Sequence, residues 1–190
     1  MALSVDEVRV WFAEAKRREH TAAGRALLRH VLGEVEVERG EGGKPRLASG
    51  ELHFNISHSG ELVAVAIAME PVGIDVEEIR PTRELLAIAR RFFSAEEARR
   101  VEQDADQFFR VWTAKEAIVK AIGSGVFDNL RSFTVPEDAT EPAIVQGREG
   151  WVVCAIEPPR EGYRAAVAMP AGRRWRISCA PCASLDSWSG

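Results

Sequence analysis

Helical and strand-like periodicities come in blocks along this chain, helices first and strands after, and that order is run through twice. Ser4-x-x-Glu7 reads as a capping box opening a helix over 4–16, and Thr21 can cap a second helix that stops at Gly33. Short strand candidates follow at 34–38, 51–57, 61–69 and 72–77. Helical patterns then fill 83–91, 94–101 and 104–122, before strands near 131–135, 151–156, 163–169 and 175–179. Segregated helices and strands predict an α+β class. The doubled order predicts two similar lobes, 1–71 and 72–180, each of helices on a small antiparallel sheet, joined near 71–73. Residues 40–45, 123–125 and 157–162 read as loops, and 181–190 as a disordered tail.

Composition removes several classes. The longest apolar run, 62–69, is far below the roughly 18 residues a membrane span needs. Asp6 and Glu7 stand where a secretory leader would be basic and then apolar, so a soluble cytoplasmic protein is expected. A net charge of −4 argues against nucleic acid as the main ligand. Basic character is local: Arg9, Lys16, Arg17, Arg18, Arg25 and Arg29 cluster near the start, either as the solvated face of two helices or as a phosphate-binding patch. Three cysteines cannot build a disulfide framework. Cys179-Ala180-Pro181-Cys182 lacks the strand-then-helix setting of a redox motif and the further ligands of a zinc site.

Asp75 and Glu77 stand two apart in Gly73-Ile74-Asp75-Val76-Glu77, so on a strand they share one face while Ile74 and Val76 share the other. Two adjacent carboxylates repel unless a cation lies between them, and hard oxygen donors suit Mg²⁺. An amphipathic edge strand would carry the same pattern. In Trp112-Thr113-Ala114-Lys115-Glu116-Ala117-Ile118-Val119-Lys120, helical spacing puts Val111, Ala114, Ile118, Ala121 and Ile122 on one apolar face. Glu116 falls nearly opposite, flanked by Trp112 and Lys120. A solvated Glu-Lys pair explains the charges but not the tryptophan. Gly42-Gly43-Lys44-Pro45 and Asn55-Ile56-Ser57-His58-Ser59-Gly60 read either as ordinary hairpin turns or as close-approach segments for a nucleotide and its phosphates.

Taken in order, G-K-P, N-I-S-H-S-G, G-I-D-V-E, F-F-S-x-x-E and W-T-A-K-E-A-I-V-K resemble the 4′-phosphopantetheinyl transferase superfamily, most of all its surfactin-synthetase-activating type. The resemblance runs from about Arg25 to Gly125. It implies a pseudo-twofold monomer that moves the 4′-phosphopantetheine of coenzyme A onto a serine of an apo acyl or peptidyl carrier protein, with Mg²⁺ as cofactor. It further implies Asp75, Glu77 and Glu116 as metal ligands, and Lys115 and Lys120 as phosphate contacts. Gly43, Lys44 and Pro45 then lie near the nucleotide, Ser57 and His58 at phosphates, and Arg25 near the 3′-phosphate. Glu97 matches a family acid, although Ser94-x-x-Glu97 is also a capping box.

In that chemistry Lys120, Lys44 and His58 take up phosphate charge, and Glu116 is the candidate base for the serine proton. Another Mg²⁺-dependent phospho- or nucleotidyltransferase would use the same acids and lysines. A non-catalytic coenzyme A module would need no acid cluster. Arg83, Arg90, Arg91, Arg99 and Arg100, beside Phe92 and Phe93, form either a docking surface for an acidic carrier or a solvated helix face.

Overall fold

The opening segment departs from its expected helix. In a computed structural model, which describes residues 3–40, 43–123 and 130–180, Glu7–Glu14 is a strand, β1. Val8, Val10 and Phe12 are buried while Glu7, Arg9 and Trp11 between them are only partly so, a period of two that a strand, not a helix, places on one side. Ser4 and Glu7 still meet, because the Ser4 amide donates to Glu7 Oε2 at 3.3 Å, but they close a turn ahead of β1. The local capping signal was real; the alternation beyond it decided the element.

The rest follows the expected order closely. α1 (His20–Leu32) ends at Gly33, and a hairpin of β2 (Val37–Arg39) and β3 (Pro45–Leu47) follows it. Next come β4 (His53–Ser59), β5 (Leu62–Ala68) and β6 (Gly73–Glu78). Three helices, α2 (Leu85–Phe92), α3 (Ala95–Gln103) and α4 (Asp106–Ile122), precede β7 (Ala143–Val145), β8 (Arg148–Ile156), β9 (Tyr163–Pro170) and β10 (Arg176–Ala180). The short strands β3 and β7 had no sequence signal of their own. The strand expected at 131–135 is a 3-10 turn, Leu130–Ser132, followed by a single bridge from Thr134 to Gln146. Gly42, Gly125 and the tail 181–190 with Cys182 lie outside the described residues.

The class is α+β. Among the described residues, the strands other than the β2–β3 pair form two four-stranded sheets, ordered β10-β1-β5-β4 and β6-β9-β8-β7. β10 pairs in parallel with β1, so the last described strand lies in the sheet of the first described one. The inner faces of the two sheets share one core, with Val8, Val10, Phe12 and Leu62 among Ile74, Val76, Val167 and Met169. α1 covers the outer face of the first sheet through Leu27 and Leu28, and α2 to α4 cover the second. β5 is buried throughout, alternate residues serving the inner core and the α1 side, which explains its uninterrupted apolar run. No helix among the described residues is long and apolar enough to cross a membrane.

Two contacts position everything that follows. Along the line where the sheets meet edge to edge, side chains of β4 accept backbone N–H groups of β6: Asn55 Oδ1 from Ile74, Ser57 Oγ from Val76 and Ser59 Oγ from Glu78, at 3.0, 3.2 and 3.1 Å. Above this seam α4 lies almost in contact with the β6 backbone. A Cβ placed on Gly73 would come 2.0 Å from the Ala117 carbonyl oxygen and 2.5 Å from the Ala121 nitrogen. Glycine is required there for closeness, not for its torsion angles.

Gly73→Ala is therefore expected to lift α4 from β6 at a cost of about 1–3 kcal/mol. That corresponds to a fall in Tm of several degrees, at roughly 2–4 °C per kcal/mol for a chain of this size, measured by calorimetry. An unchanged Tm would show that the contact is loose.

Candidate active site

The close approach of α4 to β6 brings the two acidic motifs together. Ile56, Ser57 and His58 of β4, Asp75 and Glu77 of β6, and Trp112, Glu116 and Lys120 of α4 line one cavity of about 350 Å³. Trp112 and Lys120 flank Glu116 here, as helical spacing predicted. Trp112 stacks on Phe108 with ring centroids 5.7 Å apart, so the tryptophan on the polar face is a cavity wall backed by the helix core.

Asp75 is buried, and its Oδ1 receives Lys120 Nζ at 2.6 Å and the Ser57 hydroxyl at 2.9 Å. Lys120 also donates to Ser57 Oγ at 3.0 Å. Glu77 Oε2 accepts from the Ser59 hydroxyl at 2.6 Å. All three acids are pushed above the usual carboxylate range, chiefly by burial. The charge of Asp75 raises Glu77 and Glu116 further, and Lys120 opposes the shift on all three. The group is thus short of positive charge despite Lys120.

Two oxygens express that shortage directly: Asp75 Oδ2 and Glu116 Oε1 are buried with no hydrogen-bond partner. Buried polar atoms are normally satisfied, so each marks a place for a missing partner. Among the described residues no three Asp, Glu, His or Cys side chains converge tightly enough to enclose an ion by themselves. Lys120 Nζ occupies the position on Asp75 Oδ1. The donor set nevertheless fits a hard cation in its chemistry, with carboxylate oxygens, two of them free, in a charge-deficient group.

At the rim, His58 is exposed and stacks on His20, with centroids 4.4 Å apart. Partial burial, with the charge of His20 second, holds its pKa below the ordinary histidine value. His20 Nε2 lies 3.1 Å from the Gly60 carbonyl oxygen. Sequence reasoning missed His20, whose only signal was its place at the start of α1.

Other expected site residues lie elsewhere. Lys115 is fully buried on the far side of α4. Its Nζ reaches Glu97 at 2.9 Å and donates to the carbonyls of Leu130 and Phe133, both at 2.6 Å. Every proton of that ammonium is used inside the helical layer, which corrects its expected phosphate contact. Glu97 caps α3 at Ser94 and accepts the Val135 N–H as well, so it is both a cap and the partner of Lys115.

Arg25 is exposed on α1 and lines neither this cavity nor the next. Lys44 and Pro45 line a second cavity, of about 550 Å³, with His53, Phe54, Ile122 and Trp151. There Lys44 Nζ donates to the Val72 and Ala121 carbonyls, and burial pulls its pKa down to about 8. Gly43 is exposed at φ 80. Of the residues read as a possible docking face, Phe93 and Arg100 are core residues, with Arg100 donating to the Val135 carbonyl. Arg90 and Arg99 remain on a groove between α2 and α3.

Comparison with known proteins points to one family. The model of the 4′-phosphopantetheinyl transferase superfamily matches residues 71–168, which hold all three acids. The chain is 37% identical to 4′-phosphopantetheinyl transferase HetI of Nostoc sp., over 92% of this chain and 81% of that protein. It is 36% identical to 4′-phosphopantetheinyl transferase gsp of Aneurinibacillus migulanus, over 82% and 70%. With 4′-phosphopantetheinyl transferase psf-1 of Bacillus pumilus the identity is 41%, over 60% and 54%.

The two enclosed lysines make separable predictions. Lys115→Met strands the buried Glu97 carboxylate and is expected to cost about 3–5 kcal/mol in urea unfolding; a loss under 1 kcal/mol would return Lys115 to a replaceable role. For Lys44 the unfolded chain, with a pKa near 10.5, holds its proton more tightly than the folded one, near 8. Native stability relative to Lys44→Met should therefore rise as pH goes from 8 to 10.5. Parallel denaturation midpoints for the two proteins across that window would rule the shift out.

Proposed function

The chain belongs to the 4′-phosphopantetheinyl transferase superfamily, and from that premise we propose that it transfers the phosphopantetheine group of coenzyme A to a serine of an apo acyl or peptidyl carrier protein. The observation that carries this reading is the joint cavity in which two acids of β6 and one of α4 surround a lysine, with two carboxylate oxygens left without partners. Phosphoryl transfer asks for charge neutralisation and in-line positioning, not for an elaborate nucleophile.

Asp75, Glu77 and Glu116 would hold Mg²⁺. When bound, the ion neutralises charge on the diphosphate. Lys120, held at the same cavity by Asp75 and Ser57, supplies an ammonium to a non-bridging phosphate oxygen, and His58 at the rim supplies a second donor. The serine oxygen forms a new bond to the pantetheine-side phosphorus. The phosphoanhydride bond breaks with its electron pair leaving on 3′,5′-ADP. The serine proton passes to Glu116, the acid that α4 contributes to the cavity, as the base.

The cavity of Lys44 and Pro45 joins β4 to the end of α4 and suits the nucleotide end of coenzyme A. Arg90 and Arg99 supply local positive charge for an acidic carrier on a chain of net charge −4. The reading takes the protein as a cytoplasmic monomer.

Glu116→Gln keeps the shape and removes the base. It is expected to fold with wild-type Tm and to lower transfer by about 10²-fold or more, followed by mass spectrometry of an apo carrier protein incubated with coenzyme A. Turnover within a few-fold of wild type would remove Glu116 from the mechanism. Chelation of divalent ions should abolish transfer and added Mg²⁺ should restore it.

A further inference from the structure

Asn55, Ser57 and Ser59 are alternate residues of β4, so all three point the same way, toward β6. Each accepts one β6 amide proton, from Ile74, Val76 and Glu78 in turn. For joining the sheets an acceptor is enough, as Asn55 demonstrates with its carbonyl oxygen alone. The two serines do something more. A hydroxyl carries one proton besides its lone pairs, and each serine sends that proton to a carboxylate: Ser57 to Asp75 Oδ1 and Ser59 to Glu77 Oε2. Donor and acceptor differ by 18 positions in both bonds, so a hydroxyl every second residue on one strand faces an acid every second residue on the other.

Ser57 has no capacity left. Its proton goes to Asp75, and its oxygen accepts from both Val76 and Lys120. Its expected phosphate contact is therefore replaced by a bond to the acid. Ser59 holds Glu77 more simply, with the Trp112 side chain as a second hydrogen-bond partner, and Glu77 needs holding. It is the acid at the more exposed end of the pair, where repulsion from Asp75 would swing an untethered side chain outward.

We infer that Ser59 is a positioning residue that fixes the Glu77 carboxylate against its charged neighbours, and that Ser57 does the same for Asp75. The inference rests on the proposed role of these acids as cation ligands. The hydroxyls set where the carboxylates stand and so set cation affinity. Sheet joining and site geometry are thereby read from the same two oxygens.

The test compares Ser59→Ala, Ser59→Thr and Asn55→Ala in the full chain. Manganese binding in the presence of coenzyme A is read by electron paramagnetic resonance, stability by thermal melting, and the Glu77 side chain by crystallography. Ser59→Ala is expected to weaken Mn²⁺ binding about tenfold, with Glu77 turned away from Asp75, and Ser59→Thr to restore both. Asn55→Ala should lower Tm at least as much while changing Mn²⁺ affinity less than twofold. Equal loss of Mn²⁺ affinity in Ser59→Ala and Asn55→Ala, or an unmoved Glu77 in Ser59→Ala, would overturn the inference and leave the cation reading intact. A displaced Glu77 with wild-type transfer and wild-type Mg²⁺ requirement would instead overturn Glu77 as a ligand, and the function of Ser59 with it.

Discussion

Everything distinctive about this molecule depends on one close approach, that of the α4 backbone to β6 over Gly73. A side chain there would separate strand from helix. Asp75 and Glu77 would then belong to a sheet and Glu116 and Lys120 to a helix, with water between them. Held together, they share one cavity, and each charge alters the cost of the next. The contact also aligns the far side of α4, where Lys115 and Glu97 close a fully buried ion pair. Helix rotation is fixed from both sides at once: a residue later than Lys115, Glu116 faces the cavity because Lys115 cannot.

Much of this was legible in the chain itself. Alternation placed Asp75 and Glu77 on one face, and helical spacing placed Trp112, Glu116 and Lys120 on another. What could not be read were partnerships that depend on distant segments. Lys115 looks like any lysine beside a glutamate until α3 supplies Glu97 and the turn at 130–133 supplies two carbonyls. Ser57 looks like a phosphate ligand until β6 supplies Asp75. β1 was read as a helix because the Ser4/Glu7 signal is local and the sheet that absorbs Val8, Val10 and Phe12 is not. In each case the residue type was informative about chemistry, and tertiary contact decided the use.

The distribution of basic residues points the same way. Of 25 lysines and arginines only four are lysines, and three of those, Lys44, Lys115 and Lys120, have Nζ surrounded by oxygens of the protein. A compact ammonium with three donors can be enclosed by acceptors arriving from several directions, whereas a planar guanidinium needs a flat, wider slot. Arginines occupy most of the surface ion pairs instead, such as Arg90 with Glu102 and Arg176 with Asp6.

The parallel pairing of β10 with β1 bears on how such a chain is made. During synthesis β1 emerges long before its partner on one side, residues 176–180. At about 5–20 residues per second a ribosome needs roughly 10–30 s to cover that interval. Throughout it β5 can protect one edge of β1 while the other stays open, offering its amides to any extended segment nearby. The first sheet is thus completed only once residues 176–180 have emerged, and a ribosome stalled before that point would hold a nascent chain with a free, partly apolar edge for chaperones to cover.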